Sequence, residues 1–221
     1  DIPAVSYNGR MSAERRRDSH AAFTGNDAAV MVATTAFGMG VDKADIRTII
    51  HYDLPDSLER YIQEVGRAGR DGEPAFAYLL YHESDREIPE AFIEQTTPQP
   101  EDVADLWSVL ISLYGFNTPS AIDVDLIGRA HPRLLTPRKV HGMIEVLRRA
   151  GSLETAGDEQ GGVIISCNEV SSAFDEKLLR HRRSLAWKRL EQMVAYARTT
   201  LCKRHYMLRH FGFREDDYCG N

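Results

Sequence analysis

The stretch YIQEVGRAGRDG, residues 61–72, decides the reading of this chain. Its first half reads as the end of a helix, and Gly66 and Gly69 let the backbone turn closely past a ligand. Gln63, Arg67 and Arg70 sit on that turn. A guanidinium is planar and permanently charged, so it takes phosphate oxygens in pairs and stabilises charge that builds on a transferring phosphoryl group. Two arginines three residues apart on a helical turn point the same way, as a clamp would need. The segment also fits a plain helix C-terminus, with glycines as stops and arginines answering the dipole. Its neighbours decide between the two.

Upstream, VATTAFGMGVDKADI, residues 32–46, follows the apolar run Val30 to Thr34. In open α/β sheets ligands bind beyond the carboxyl ends of the strands. That rule puts Thr34, Thr35, Gly38, Gly40 and Asp42 in a ligand-facing loop, although a bare strand-to-loop transition looks similar and a hydroxyl there is often only a turn cap. TIIHY (48–52) and AFAYLLY (75–81) are two further strand-like runs, and residues 11–23 and 57–66 read as helices. The alternation predicts a parallel α/β layer over the first eighty or so residues. The chain opens in or beside a strand, so sequence upstream is expected, since a half-sheet without its opening strand exposes a hydrogen-bonding edge.

Residues 82–101 turn acidic and proline-bearing and lose clear periodicity except around Ala91 to Ile93, which marks a boundary candidate. Beyond it, Val103, Leu106, Trp107, Leu110 and Leu113 make a helical apolar face, and a short helix is expected from Pro119 to Ala130. Thr136 can cap a third helix with Pro137 in its first turn, Val140, Met143, Ile144 and Leu147 on one face, and Gly151 at its end. Residues 152–155 and 163–166 flank the loop AGDEQGG as two short strands. Three helices and a hairpin give the outline of a winged helix, with a small helical bundle and an incidental hairpin as the alternative. Residues 173–200 read as one long helix or two closely joined ones.

Apolar residues make up 43% of the 221-residue chain, enough for a sizeable core. No run of about 18 apolar residues could span a bilayer, and DIPAVSYNGR lacks the order of a signal peptide. Cys167, Cys202 and Cys219 are too few and scattered for a disulfide framework, so reduced thiols or metal ligands, and a cytoplasmic location, are expected. The net charge of -6 hides an asymmetry: residues 1–128 balance to -12, residues 129–210 to +8 and the last eleven to -2. That split fits a catalytic lobe joined to a nucleic-acid-binding part, with a solvated basic face as the bland alternative.

Taken together, TAFGMGVDK, HYDLP and YIQEVGRAGRDG resemble motifs V and VI of superfamily 2 helicases in the wording of the RecQ family. Tyr7, Asn8, Gly9 and the following SAERR resemble a further segment of that family. Gln63 favours RecQ over the DEAD-box RNA-remodelling relatives. The resemblance implies a RecA-like second motor lobe over residues 1–88, with Arg70 as arginine finger and Arg67 and Gln63 coupling phosphate to lobe closure. It implies nucleotide contacts at Asp42, Gly40 and Gly66, and DNA-backbone contacts at Thr34 and Thr35. ATP and Mg are the implied cofactors, DNA the partner, and the activity 3' to 5' unwinding in replication, recombination or repair.

The 221-residue sequence contains no GxxxxGK[ST] loop and no DExH-type motif. In the family both belong to the first motor lobe, so that lobe is an implied partner and this chain alone is expected not to hydrolyse ATP appreciably. Residues 89–170 form the winged-helix-like domain of this reading, placed before rather than after the zinc subdomain. Arg138, Lys139, Arg148 and Arg149, opposite an apolar helix face, are its DNA-binding candidates, with protein docking as the alternative. Residues 171–221 resemble the start of the RecQ zinc subdomain, Cys202 and Cys219 matching the first two ligand positions. No membrane association is expected. A non-catalytic DNA-binding scaffold and an RNA helicase lobe are the rival readings.

Overall fold

The computed structural model describes residues 1–38, 43–131, 137–157, 163–168 and 174–213. It divides into two compact units, one made of Asp1–Tyr52 with Glu59–Leu80 and the other of Asp53–Leu58 with Tyr81–Asn221.

The first unit is built from two strand–helix–strand passages. Strand β1 (Ala4–Tyr7) leads to helix α1 (Ala13–Thr24) and returns as β2 (Val30–Ala33), parallel to β1 with Ala4 opposite Val30 and Tyr7 opposite Ala33. Strand β3 (Thr48–His51), helix α2 (Leu58–Val65) and strand β4 (Phe76–Leu79) repeat the pattern, again parallel, with Thr48 opposite Phe76. Parallel neighbours need such a crossover, which is why helices alternate with strands here. The expected parallel α/β layer is therefore present, as two parallel strand pairs among the described residues.

Helix α1 starts where the Ser12 hydroxyl accepts the Arg15 amide at 3.3 Å and stops where Gly25 donates to the Ala21 carbonyl at 2.8 Å. Only Phe23 of this helix is buried. Its ring meets Phe37 at 5.9 Å, and Phe37 meets Tyr7 at 4.9 Å, so one aromatic cluster joins helix, strand and the loop after β2.

In the second unit, helices α3 (Glu87–Thr96), α4 (Pro100–Tyr114), α5 (Val124–Ala130) and α6 (Pro137–Arg149) accompany a three-stranded antiparallel sheet. Its strands β5 (Ser120–Ala121), β6 (Leu153–Gly157) and β7 (Val163–Cys167) run in the order β5-β7-β6. Val103, Leu106 and Leu110 of α4 form one core with Ile127, with Val140, Met143, Ile144 and Leu147 of α6, and with Leu153 and Ile165 of the sheet. At about 25 cal/mol per Å² of apolar surface removed from water, this cluster is the main source of the unit's stability.

Pro100 opens α4 and Asp123 caps α5, accepting the Leu126 amide at 2.9 Å. The short helix expected from Pro119 to Ala130 therefore starts only at Val124, because residues 120–121 pair with β7 instead. Gly151, at φ 73°, follows α6 as expected. The Thr136 cap and the centre of the hairpin loop, residues 158–162, lie outside the described residues.

Helix α3 shows that the periodic patch seen only around Ala91 to Ile93 belongs to a longer helix, Glu87–Thr96. Ile88 and Phe92 are both 61% exposed while Pro89 and Ile93 are buried, so its apolar residues do not keep to one face. Ion pairs hold it instead: Arg86 to Glu90 at 3.0 Å, and Glu94 to Arg183. Gly142 of α6 also lies so close that a Cβ there would stand 1.8 Å from the Gln95 carbonyl oxygen.

Helix α7 (Glu176–Arg198) begins after Asp175, whose carboxylate accepts the Leu178 amide at 2.9 Å, and is followed by α8 (Lys203–His210). Leu190, Met193 and Val194 bury one face of α7, as the apolar stripe requires. Of the two readings of residues 173–200, the single long helix is the one found, and α8 lies beyond that range. The Lys203 ammonium sits at the joint, donating to the carbonyls of Tyr196 at 2.7 Å and Thr199 at 2.7 Å. No helix among the described residues is long and apolar enough to cross a membrane.

Candidate phosphate-facing site

The arginine turn is built directly on the end of α2. Gly66 and Ala68 close the helix by donating to Ile62 at 2.9 Å and Val65 at 3.1 Å. Gly69 then enters the left-handed region at φ 63°, and its amide crosses to the Ile46 carbonyl at 3.0 Å. A Cβ at residue 69 would stand 2.9 Å from the Glu73 carbonyl oxygen, so this position needs glycine twice over.

The neighbouring arginine tightens the same turn. Arg47, just before β3, forms a two-pronged ion pair with Asp71 and also donates to the Glu73 carbonyl at 3.4 Å. The pairing holds the Asp71 carboxyl below its ordinary range and raises the Arg47 guanidinium. Phe76 donates to the Arg47 carbonyl at 2.9 Å, so the turn is tied back to the strand pair β3–β4 on both sides. Within this frame Gln63 and Arg70 are exposed and Arg67 is half-buried. All three candidates thus lie on one anchored segment of eight residues.

A second tie positions the helix itself. His51 Nε2 at the end of β3 lies 2.8 Å from Glu64 Oε2 of α2, and the His51 ring meets Tyr61 at 4.9 Å. The His51 side chain is only 9% exposed. Arg47, His51, Glu64 and Asp71 were not singled out as functional in the sequence. Asp71 and Glu64 lie within YIQEVGRAGRDG and His51 opens HYDLP, whereas Arg47 gave no signal beyond being a polar residue just before a strand.

Thr34 and Thr35 occupy the loop beyond β2, both exposed. The Thr34 amide extends the ladder to the Tyr7 carbonyl at 3.0 Å, and its hydroxyl accepts the Ala36 amide at 3.4 Å. That is a turn cap over a short 3-10 segment, Thr35–Gly38, so the Thr34 oxygen has a local structural use. Gly40 and Asp42 lie outside the described residues. Beside Tyr7, an open cleft of about 560 Å³ is lined by Arg16, Arg17 and His20 of α1, a basic group that sequence reading left unassigned.

In the second unit, Arg148 and Arg149 converge on Glu145. Arg148 grips it with both Nε and Nη2 at 2.8 Å, and Arg149 Nε lies 2.7 Å away. The two guanidinium groups push the Glu145 carboxyl down to about 2. This carboxylate cancels one of the two positive charges, so the pair offers less to a phosphate than the sequence implied. Lys139 stands 3.9 Å from Glu94. Arg138 belongs to α6, and its side chain lies outside the described set.

Cys202 precedes α8 and is half-buried, while Cys219 lies outside the described residues. Among the described residues no three His, Cys, Asp or Glu side chains gather to hold a metal, so they do not compose a zinc site by themselves. Cys167 is buried in the core of the second unit, which pushes its thiol up.

Comparison with known proteins accounts for both ends of the chain. Residues 1–72 match the helicase conserved C-terminal domain, and residues 168–221 match the RecQ zinc-binding family. A putative ATP-dependent RNA helicase of Acanthamoeba polyphaga mimivirus is 45% identical over 89 residues, 40% of this chain and 16% of that protein. The probable ATP-dependent DNA helicase RecS of Bacillus subtilis is 42% identical over 104 residues, 47% of this chain and 21% of its own length. The ATP-dependent DNA helicase RecQ of the same organism is 38% identical over 105 residues, 48% of this chain and 18% of that protein. The chain thus spans between about a sixth and a fifth of these relatives.

Parallel strand pairs, crossover helices and an arginine turn at the end of α2 are the build of the first unit, whose residues 1–72 match the helicase conserved C-terminal domain. The zinc-binding match at the other end of the chain, together with the RecQ and RecS relatives, makes the sequence similar to a fragment of a RecQ-like superfamily 2 helicase.

Proposed function

We propose that this chain supplies the second motor lobe and the adjoining accessory region of an ATP-dependent DNA helicase that moves 3' to 5'. The observation that carries this reading is the anchored arginine turn. Gly69 bonded to Ile46 and Asp71 paired with Arg47 hold Arg67 and Arg70 at the end of α2, in a lobe whose relatives bear helicase names. Arg70, exposed on that turn, acts as the arginine finger, and its guanidinium stabilises charge developing on a transferring phosphoryl group. Arg67 and Gln63 orient the same turn as the cleft between lobes closes. MgATP, when bound, supplies the phosphoryl group and a counter-charge to it. Gly40, Asp42 and Gly66 belong to the nucleotide side of this reading, and Thr34 and Thr35 to the DNA side.

Two finer assignments go with it. The order helix, strand, helix, helix, strand, strand from α4 to β7, with the sheet in the order β5-β7-β6, supports a winged-helix reading of the second unit. The match over 168–221 supports zinc ligation by Cys202 and Cys219 together with further cysteines, and zinc retained by the intact protein through gel filtration is the check on it.

The activity is tested on the intact gene product by measuring ATP hydrolysis with single-stranded DNA, with RNA and with neither, and strand displacement on 3'-tailed and 5'-tailed duplexes. The proposal expects stimulation by DNA and displacement from the 3' tail. Stimulation by RNA alone would transfer the chain to an RNA helicase, and no hydrolysis under any condition would leave a non-catalytic scaffold.

A further inference from the structure

The basic residues of α7 fall into two groups that the sequence does not separate. One group is consumed inside the unit. Arg180 pairs with Glu101 at 2.6 Å, Arg183 with Glu94 and with the Thr97 carbonyl at 2.7 Å, and Arg198 with Glu83. These pairs run the length of the helix, on the side that packs against α3 and α4. The two acidic residues of α7 are also used: Glu176 pairs with Arg180, and Glu191 with Arg86.

The other group is Lys177, Arg182, Lys188 and Arg189, all exposed and without a carboxylate partner among the described residues. This holds in a chain with 33 acidic and 27 basic residues, where chance alone would place acids nearby. Lys177 and Lys188 are eleven residues apart, three helical turns, so they lie in line. Arg182 and Arg189 are two turns apart and form a second line. Between the lines run Leu185 and Gln192, so the outward face carries cations at both margins and no acid.

We propose that this outward face of α7 is a docking surface for the phosphate backbone of duplex DNA. The occupant follows from charge and spacing. Eleven residues of helix span about 16.5 Å, and duplex DNA carries one negative charge per about 1.7 Å of axis, so cations at the two ends of the Lys177–Lys188 line can meet different phosphates. Backbone contact of this kind positions a duplex without reading its sequence. The inference rests on DNA being the partner of the proposed helicase; the surface does not include the arginine turn, and at Arg182 it borders a cleft that Glu145, Arg149 and Asp175 also line.

The test is fluorescence anisotropy of this 221-residue chain with a labelled 20-base-pair DNA across a salt series. Replacing Lys177, Arg182, Lys188 and Arg189 together by Gln should raise Kd at least about tenfold at low salt and reduce the slope of log K against log salt by about 3.6, at 0.9 per lost contact. All four side chains are exposed, so the fold should survive, and circular dichroism checks it. If the fourfold variant misfolds, the pairs K177Q/K188Q and R182Q/R189Q should each lower the slope by about 1.8. An unchanged slope and Kd overturn the proposal. Equal or tighter binding of polyglutamate or of duplex RNA, lost in the same variants, overturns the choice of DNA. DNA-stimulated ATP hydrolysis by the intact protein is read separately, so loss of that activity marks failure of the helicase reading rather than of this surface.

Discussion

His51 Nε2 of β3 and Glu64 Oε2 of α2 lie 2.8 Å apart, tying the end of that strand to the helix that carries the arginine turn. The imidazole side of the pair is almost closed to solvent and the carboxylate a quarter exposed. Glu64→Ala leaves a buried ring nitrogen without its partner, which costs about 1–3 kcal/mol. Urea unfolding followed by the signal of the first unit should show that loss. A midpoint equal to that of the unaltered chain would mean the pair contributes nothing to holding α2.

Gly69 and Gly72 separate two effects that glycine substitutions usually mix. Both have positive φ, at 63° and 85°, but only at Gly69 would a Cβ meet backbone, the Glu73 carbonyl oxygen at 2.9 Å. Gly72→Ala should cost about 1 kcal/mol from conformation alone, and Gly69→Ala distinctly more. Equal thermal shifts for the two variants would show that the close approach at Gly69 is relaxed without cost.

At Gly142 the sign of an ordinary helix substitution should reverse. Glycine to alanine inside a helix normally stabilises by about 1 kcal/mol. Here the added carbon would overlap the Gln95 carbonyl oxygen, so α3 and α6 must move apart. Gly142→Ala should therefore destabilise the second unit by about 1–3 kcal/mol, read by calorimetry. A raised melting temperature would contradict the close packing of these helices.

Glu145 makes the second unit sensitive to acid. Its folded carboxyl is depressed from 4.5 to about 2 by Arg148 and then Arg149, so the folded state binds its proton less readily than the unfolded one. The stability this contributes is complete above about pH 4.5 and is lost as pH falls towards 2. The carboxylate is 37% exposed, and solvent screening keeps the effect to no more than about 1 kcal/mol. Glu145→Gln should flatten the stability profile between pH 5 and pH 2 relative to the unaltered chain, and parallel profiles would contradict the assignment.

The sequence made the first unit legible because its strands are short apolar runs punctuated by glycine-bearing loops, and Val30, Thr48 and Phe76 all open strands within a residue of where the pattern puts them. The arginine turn was legible because glycine and arginine at that spacing have few other uses. Helix α3 was not, because Pro89 and the exposed Ile88 and Phe92 break its apolar period while the Arg183 partner of its Glu94 lies 89 residues away. The same reason hid Arg47, whose partner Asp71 is distant in sequence. The DNA-binding candidates of α6 were chosen for sitting opposite an apolar face. That criterion cannot see Glu145, one turn back on the same helix, closing on Arg148 and Arg149.

The central claim is that Arg70, on a turn fixed by Gly69 and Asp71, completes an ATP-hydrolysing site. It is tested most directly by DNA-stimulated ATP hydrolysis of the intact gene product with Arg70→Ala, beside a thermal melt to show that the lobe is folded. Arg70 is exposed, so the melt should change little. The account predicts a fall in turnover of about 10³-fold or more with the melting temperature within a degree or two of the parent. Turnover within a few-fold of the parent in a folded variant would contradict it.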